Sequence, residues 1–152
     1  MLILWRISRI EHSAFDGEGS RHASGRWHHR GARIIYTSEH LSLAALEFFV
    51  NIGTATEGSV LAAASVEIPD DLTLERYRIS DLPRSWRAVP YPRDLQDLGM
   101  EWLTESASAI LAVPSAVIPR ENNYLLNPLH PDFVRIRVRR PERFSLDRKS
   151  VV

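Results

Sequence analysis

Hydrophobic and polar positions alternate along residues 2–10, where Ile3, Trp5 and Ile7 share one side and Leu4, Arg6 and Ser8 the other. A period of two predicts a strand. Residues 33–37 (RIIYT) and 59–68 read as further strands, the second stopped by Pro69. Residues 74–79 (LERYRI) and 134–138, where Val, Ile and Val alternate with Arg, are shorter candidates. Residues 110–118 (ILAVPSAVI) form a sixth strand with Pro114 in mid-run. Proline donates no ladder hydrogen bond, which predicts an edge position or a bulge there.

Two stretches follow the helical period. Residues 94–106 (DLQDLGMEWLTES) space Leu95, Leu98, Trp102 and Leu103 as one face, in a helix that Gly99 weakens. Residues 38–51 (SEHLSLAALEFFVN) are apolar around most of a helix, with Ser38 as the expected N-cap and Leu41 in place of a capping-box Glu. Glu47 interrupts this second helix. At about 100° per residue it shares a narrow polar stripe with His40 and Asn51, flanked by Leu43 and Ala44. The stripe is either the wet side of the helix or the wall of a pocket that needs a carboxylate.

Between these elements, residues 14–31 are rich in Gly, Ser, His and Arg and read as a long functional loop. Residues 53–58 read as a turn, 83–92 as a proline-rich loop and 121–133 as a second irregular loop. No repeat or long linker divides the chain. The pattern predicts one mixed α/β (α+β) domain over residues 1–152, with about six strands and two main helices.

Composition narrows the chemistry. The 152 residues are 44% hydrophobic and 25% charged, which suits a globular chain that buries roughly 70% of its unfolded surface. Cysteine is absent, which excludes disulfides, thiolate metal sites and a cysteine nucleophile, and is compatible with a reducing cytoplasm. MLILWRISRI is broken by Arg6 and Arg9, so it does not read as a signal peptide. No apolar run approaches the roughly 20 residues of a membrane helix, and a cytoplasmic location without membrane contact is expected. Nineteen basic residues balance nineteen acidic ones, so no broad grip on nucleic acid is expected. A local cluster remains, in which Arg21, Arg26, Arg30 and Arg33 accompany His22, His28 and His29.

Familiar signatures are absent. There is no GxxxxGK[ST], HExxH, GxSxG or EF-hand loop, and Gly17-Glu18-Gly19 lacks the third glycine and following helix of a dinucleotide fingerprint. His28 and His29 are adjacent with no second pair at ligand spacing, so no metal site is expected. Four polar residues instead stand where the pattern favours apolar ones: Arg6 in the first strand, Tyr36 before the helix, Glu47 on it and Ser115 within AVPSAVI. Singly, each has a structural explanation: an edge charge, a core ring, a solvated face, a small residue at a bulge. Together they sit on separate elements that a fold can bring to one cleft.

WR at 5–6, GEGSRHASGRW at 17–27, YTS at 36–38, AALE at 44–47, VPSAVIP at 113–119 and ENNYLLNPLHPDF at 121–133 occur in this order. The ordered set resembles the RES-domain toxins of bacterial Xre–RES toxin–antitoxin systems and spans nearly the whole chain. The family takes its name from an arginine, a glutamate and a serine. Glu47 and Ser115 fall in the motifs for the latter two, and Arg6 and Arg26 both stand for the first. Ser24 and His28 depart from the GGRWN expected around Arg26.

The resemblance implies small sheets with packed helices in the diphtheria-toxin-like ADP-ribosyltransferase fold, with NAD⁺ consumed as substrate in a cleft between them and no metal. On that basis Glu47 stabilises positive charge on the ribose, and Arg6 and Arg26 hold the pyrophosphate. Tyr36 stacks on nicotinamide, Ser115 bonds the carboxamide or a ribose hydroxyl, and Asn127 joins the NAD⁺ contacts. The acceptor of ADP-ribose is water, phosphate or a protein target. The implied partner is an Xre-type antitoxin that supplies any DNA contact, with a homodimer allowed within the complex. Two other classes stay open: a ribonuclease using His22, His28 and His29, and a binding module without activity.

Overall fold

A computed structural model describes residues 1–52 and 58–146. The turn expected at 53–58 falls almost wholly outside the described residues. Strand β1 (Leu2–Arg9) pairs antiparallel with β3 (Leu61–Ile68) along its full length, from Leu2↔Ile68 to Arg9↔Leu61. Two short strands, β7 (Arg137–Val138) and β8 (Glu142–Phe144), pair with the other edge of β3. On the opposite flank, β2 (Ile35–Ser38) pairs with β6 (Asn122–Leu126), β6 with β5 (Ile110–Pro114), and β5 in parallel with β4 (Leu74–Arg76).

One pair joins the two groups. β1 and β2 meet only at Trp5↔Ser38. The eight strands form one sheet, in the order β4-β5-β6-β2-β1-β3-β7 with β8 also on β3, and its two halves are joined by this single pair, beyond which β1 and β2 are not paired. A mixed α/β fold with packed helices results, as the resemblance implies, with one curled sheet in place of separate small sheets.

Helix α2 (Leu41–Ile52) lies on β1 and β2, burying Ala44 and Ala45 against Ile7 and Ala63, with Leu43 also buried. Helix α3 (Arg93–Glu105) buries Leu95 and Trp102 with Trp27, Trp86, Leu111, Val113 and Leu125. The opposite faces of β5 and β6 supply Ile110, Ala112, Tyr124 and Leu126 to a further core with Leu4, Ile35 and Val66. Covered on both faces, β5 reads as a continuous apolar run. Among the described residues no helix is long and apolar enough to cross a membrane.

Several expectations change. Pro114 marks neither an edge nor a bulge: β5 lies between β4 and β6, and the proline is its last residue, where a missing N–H costs no interior ladder bond. The expected loop at 121–133 contains β6, an interior strand that starts with two asparagines and so lacks an apolar signature. Ser38 is the last residue of β2, not the helix N-cap, because α2 starts at Leu41. The loop at 14–31 holds a short helix, α1 (Glu18–His22), and only Arg137–Val138 of the last expected strand is extended.

Gly99 has a positive role. A Cβ there would lie 1.8 Å from the carbonyl oxygen of Trp27, so only glycine lets α3 touch the segment that carries Arg26 and Trp27.

Candidate active site

The fork between β1 and β2 opens into a cleft of about 1210 Å³, lined among others by Arg6, Arg26, His28, Tyr36, Glu47 and Asn123. The lining side chains converge from several elements. Arg6 comes from β1, Tyr36 from β2, Asn123 from β6 and Glu47 from α2.

Glu47 does not lie on the wet side of its helix. Ser42, Leu46, Val50 and Asn51 are the exposed residues of α2, while Glu47 is half-buried. Its Oε1 accepts two hydrogen bonds, from Ser115 Oγ and from Asn123 Nδ2, both at 2.7 Å. Ser115 Oγ in turn accepts the backbone N–H groups of Val117 (3.1 Å) and Ile118 (3.0 Å), which commits its own proton to Glu47. Asn123 Oδ1 accepts from Ser38 Oγ at 2.8 Å. Glu47 Oε2 makes no hydrogen bond among the described residues. The carboxylate is thus held by neutral donors at one oxygen and left open at the other.

Ser115 is fully buried, so the expected bond from its hydroxyl to a substrate gives way to a role behind Glu47. Asn127 is also displaced from its expected role. Its Oδ1 accepts the N–H of Leu129 at 3.0 Å, its N–H reaches Ala109 O, and it does not line the cleft.

The Tyr36 ring is fixed through its hydroxyl. Tyr36 Oη accepts the backbone N–H of Trp27 at 3.1 Å and lies 2.7 Å from His28 Nδ1. His28 Nε2 faces the carbonyls of Ala23 (2.8 Å) and Ser20 (3.1 Å), which can only accept, so Nε2 carries the proton and Nδ1 accepts from Tyr36. Burial lowers the imidazole pKa against the pull of those carbonyls, and burial raises the Tyr36 phenol. A Cβ at Gly25 would fall 2.7 Å from both His28 Cε1 and Tyr36 Oη, so glycine is required for this packing.

The arginines are anchored by carbonyl oxygens. Arg26 Nη1 donates to Trp86 O (2.7 Å) and Ala88 O (3.2 Å), and its guanidinium lies 4.8 Å over the Tyr91 ring. Arg6 Nη1 donates to Ala14 O at 3.0 Å, with the Phe15 ring 5.8 Å away. Burial lowers both pKa values; Asp16 opposes the shift at Arg6, and Tyr91 and Glu47 oppose it at Arg26. A third arginine, Arg87, lines the cleft with Nε donating to Ala116 O at 3.0 Å. None of the three belongs to an ion pair among the described residues.

The histidines do not converge. His28 is buried with both nitrogens engaged, His29 meets Asp97 of α3 at 2.7 Å outside the cleft, and His22 is exposed elsewhere. Glu39, His40 and Glu121 bring ligand atoms within 4.8 Å of one another, also outside the cleft, and Glu39 Oε1 already accepts the Asn122 N–H.

The sequence pattern singled out Arg6, Tyr36, Glu47 and Ser115, and the resemblance added Arg26; the fold brings all of these but the buried Ser115 to the lining of one cleft, and Asn123 and Arg87 were missed. Asn123 lay within ENNYLLNPLHPDF, where nothing in spacing separates it from Asn127. Arg87 carried no signal in its proline-rich loop.

The chain is similar to known proteins in sequence and in fold. The chain is 38% identical over 134 residues to "Toxin Res" of Yersinia enterocolitica, covering 87% of this chain and 88% of that protein. It is 30% identical over 153 residues to "Prs ADP-ribosylating toxin" of a Sphingobium species, covering 97% and 95%. The crystal structure of the M. tuberculosis MbcT–MbcA toxin–antitoxin complex contains a chain of the same fold, with TM-score 0.79 at 14% identity over 94% of this chain and 84% of that one. The RES domain family matches residues 3–147, which takes in the forked strands, α2 and the turn after β5. By that match and by its relatives, the chain belongs to the RES domain family.

Proposed function

We propose that this protein is a toxin that cleaves NAD⁺ at the nicotinamide–ribose bond and is restrained by a cognate antitoxin. The observation that carries the reading is Glu47: one carboxylate oxygen accepts from Ser115 and Asn123, and the other is open to a cleft whose arginines form no ion pair among the described residues.

NAD⁺ fits these groups. Its pyrophosphate oxygens suit the planar forks of Arg6 and Arg26, whose remaining N–H groups are not used by the backbone anchors. When the glycosidic bond breaks, its electron pair leaves with nicotinamide and positive charge builds on the ribose. The open oxygen of Glu47 stabilises that charge, and no reorganisation is needed because Oε1 is already fixed. Tyr36, with its hydroxyl engaged, offers a rigid ring against which nicotinamide stacks. Water, inorganic phosphate or a protein nucleophile then captures the ribose.

The name of the Sphingobium relative supports ADP-ribosyl chemistry, and the mycobacterial complex supports an antitoxin partner. An Xre-type antitoxin would carry the DNA contact, in keeping with a formal charge of zero on this chain. Inhibition follows most simply from covering the mouth of the cleft. His22, His28 and His29 do not converge, which favours the NAD⁺ reading over a ribonuclease built on these three.

Mass spectrometry of the products formed from NAD⁺, with and without phosphate, tests the reading. Nicotinamide should appear with ADP-ribose, its phosphorylated form or a modified protein, and expression without antitoxin should arrest growth. Intact NAD⁺ under every condition, with normal growth, would sink it.

A further inference from the structure

We propose that Asn123 is the positioning residue of the site: anchored by Ser38, it holds Glu47 Oε1 and leaves Oε2 as the only carboxylate oxygen offered to the cleft. The kinetic consequence rests on the NAD⁺ reading; the geometric one does not.

An ionised carboxylate accepts through two oxygens with about four lone-pair sites. Ser115 alone would leave Glu47 free to pivot about one hydrogen bond. The second donor, Asn123 Nδ2, reaches the same oxygen at 2.7 Å from an adjacent strand, since Val113 and Asn123 are paired across β5 and β6. Two donors from different directions fix the plane of the group. They also occupy Oε1, so a substrate hydroxyl or a developing cation finds only Oε2.

The amide can do this in one orientation only. With its oxygen toward Glu47, two acceptors would face each other; with nitrogen toward Glu47, Oδ1 turns to Ser38, whose hydroxyl donates at 2.8 Å. Ser38 and Asn123 are directly paired across β2 and β6, and Ser38 is also the residue at which β2 meets β1. The single pair that joins the two halves of the sheet is therefore tied to the carboxylate through one amide. Because an amide does not titrate, the donor persists at every pH.

Asn123→Asp converts this donor into a group that must share a proton with Glu47. Two adjacent carboxylates do not both ionise readily, so the upper pKa of the pair is raised. With one proton shared, the introduced carboxyl can still donate to Glu47. As pH rises and that proton leaves, the donor becomes a repelling charge. Arg6 from β1, Tyr36 from β2 and Arg26 and Arg87 from the loops line the cleft with Glu47, as do His12, His28, Tyr91, Glu11, Asp16 and Glu18. All are common to every variant, so a limb unique to Asn123→Asp belongs to the pair formed by Glu47 and the introduced carboxyl.

The test compares wild type, Asn123→Asp, Asn123→Ala and Ser38→Ala by kcat for NAD⁺ against pH, and by ¹³C NMR titration of the Glu47 carboxyl. Asn123→Asp should acquire a basic limb absent from the other three, with kcat falling about tenfold or more across it. Asn123→Ala should lose about tenfold in kcat with no new limb, its Glu47 titration displaced upward; Ser38→Ala should shift both readouts in the same direction by less. If Asn123→Asp does not fold, the two alanine variants decide by the same readouts. Wild-type kinetics in all variants together with an unmoved Glu47 titration would overturn the proposal. Should wild type release no nicotinamide, the function fails on that ground, and the titration alone decides here: upward displacement sustains the role of Asn123, and no displacement refutes it.

Discussion

Arg135 and Arg26 are held in opposite ways. Arg135 Nη2 lies 2.6 Å from Asp71 Oδ1 on the open surface, as Arg21 lies 2.7 Å from Glu18, and in each pair the charges cancel locally. Arg26 is gripped by two backbone carbonyls and a tyrosine face, which fix the guanidinium without neutralising it. Glu47 repeats the contrast with the sign reversed: its partners are a hydroxyl and an amide, not a cation. These surface charges are paired by direct contact; the cleft charges are fixed by neutral partners, and Asp16 and Glu47 act on Arg6 and Arg26 through space. Preorganised, unneutralised charge is what a charged substrate and a charge-building transition state require.

The largest break in this contrast comes from removing the cleft anion. Glu47→Gln keeps the volume and can still accept from Ser115 and Asn123 through its amide oxygen. NAD⁺ cleavage should fall at least about a hundredfold with circular dichroism unchanged, and toxicity without antitoxin should vanish. Near-normal turnover by a folded variant would return Glu47 to a structural role.

Arg26→Lys and Arg6→Lys come next. Lysine keeps the charge and can reach one carbonyl, but lacks the planar fork. KM for NAD⁺ should rise roughly tenfold with little change in thermal midpoint. Loss of fold with unchanged specific activity per folded molecule would make that arginine structural.

A smaller effect separates the Tyr36 support from the charged groups. His28 has its pKa lowered in the folded state, so the unfolded chain binds the proton more readily. Stability is fully present above the unfolded value of about 6.5 and is lost as pH falls toward the lower folded value. Thermal midpoints measured from about pH 7 to about pH 5 should drop for wild type and drop less for His28→Gln. Equal slopes would show that His28 is not the coupled group.

The smallest effect tests the other half of the contrast. Arg135→Ala removes an exposed ion pair and should leave activity, thermal midpoint and toxicity unchanged within error. A measurable loss of turnover would extend the functional surface beyond the cleft.

The sequence by itself determined the elements whose signal is local. The alternation in 2–10, the apolar circumference of α2 and the periodic face of α3 follow from side-chain spacing alone, and so does the oddity of Arg6, Tyr36 and Glu47 within them. A polar side chain is conspicuous where its neighbours are apolar. Tertiary structure decided the rest. β6 is interior because strands on both sides complete its ladder, and no local pattern in ENNYLLN reports that. Asn123 enters the site and Asn127 leaves it because pairing with Ser38 and Val113 places one beside Glu47 and carries the other past the sheet. Ser115 turned out buried behind the carboxylate, and Gly99, a weak helix former by propensity, proved to be a contact point for Trp27. The physical reason is common to all of these. Spacing along the chain dictates which face a residue occupies, whereas a hydrogen-bond partner or a close backbone approach depends on register between segments distant in sequence.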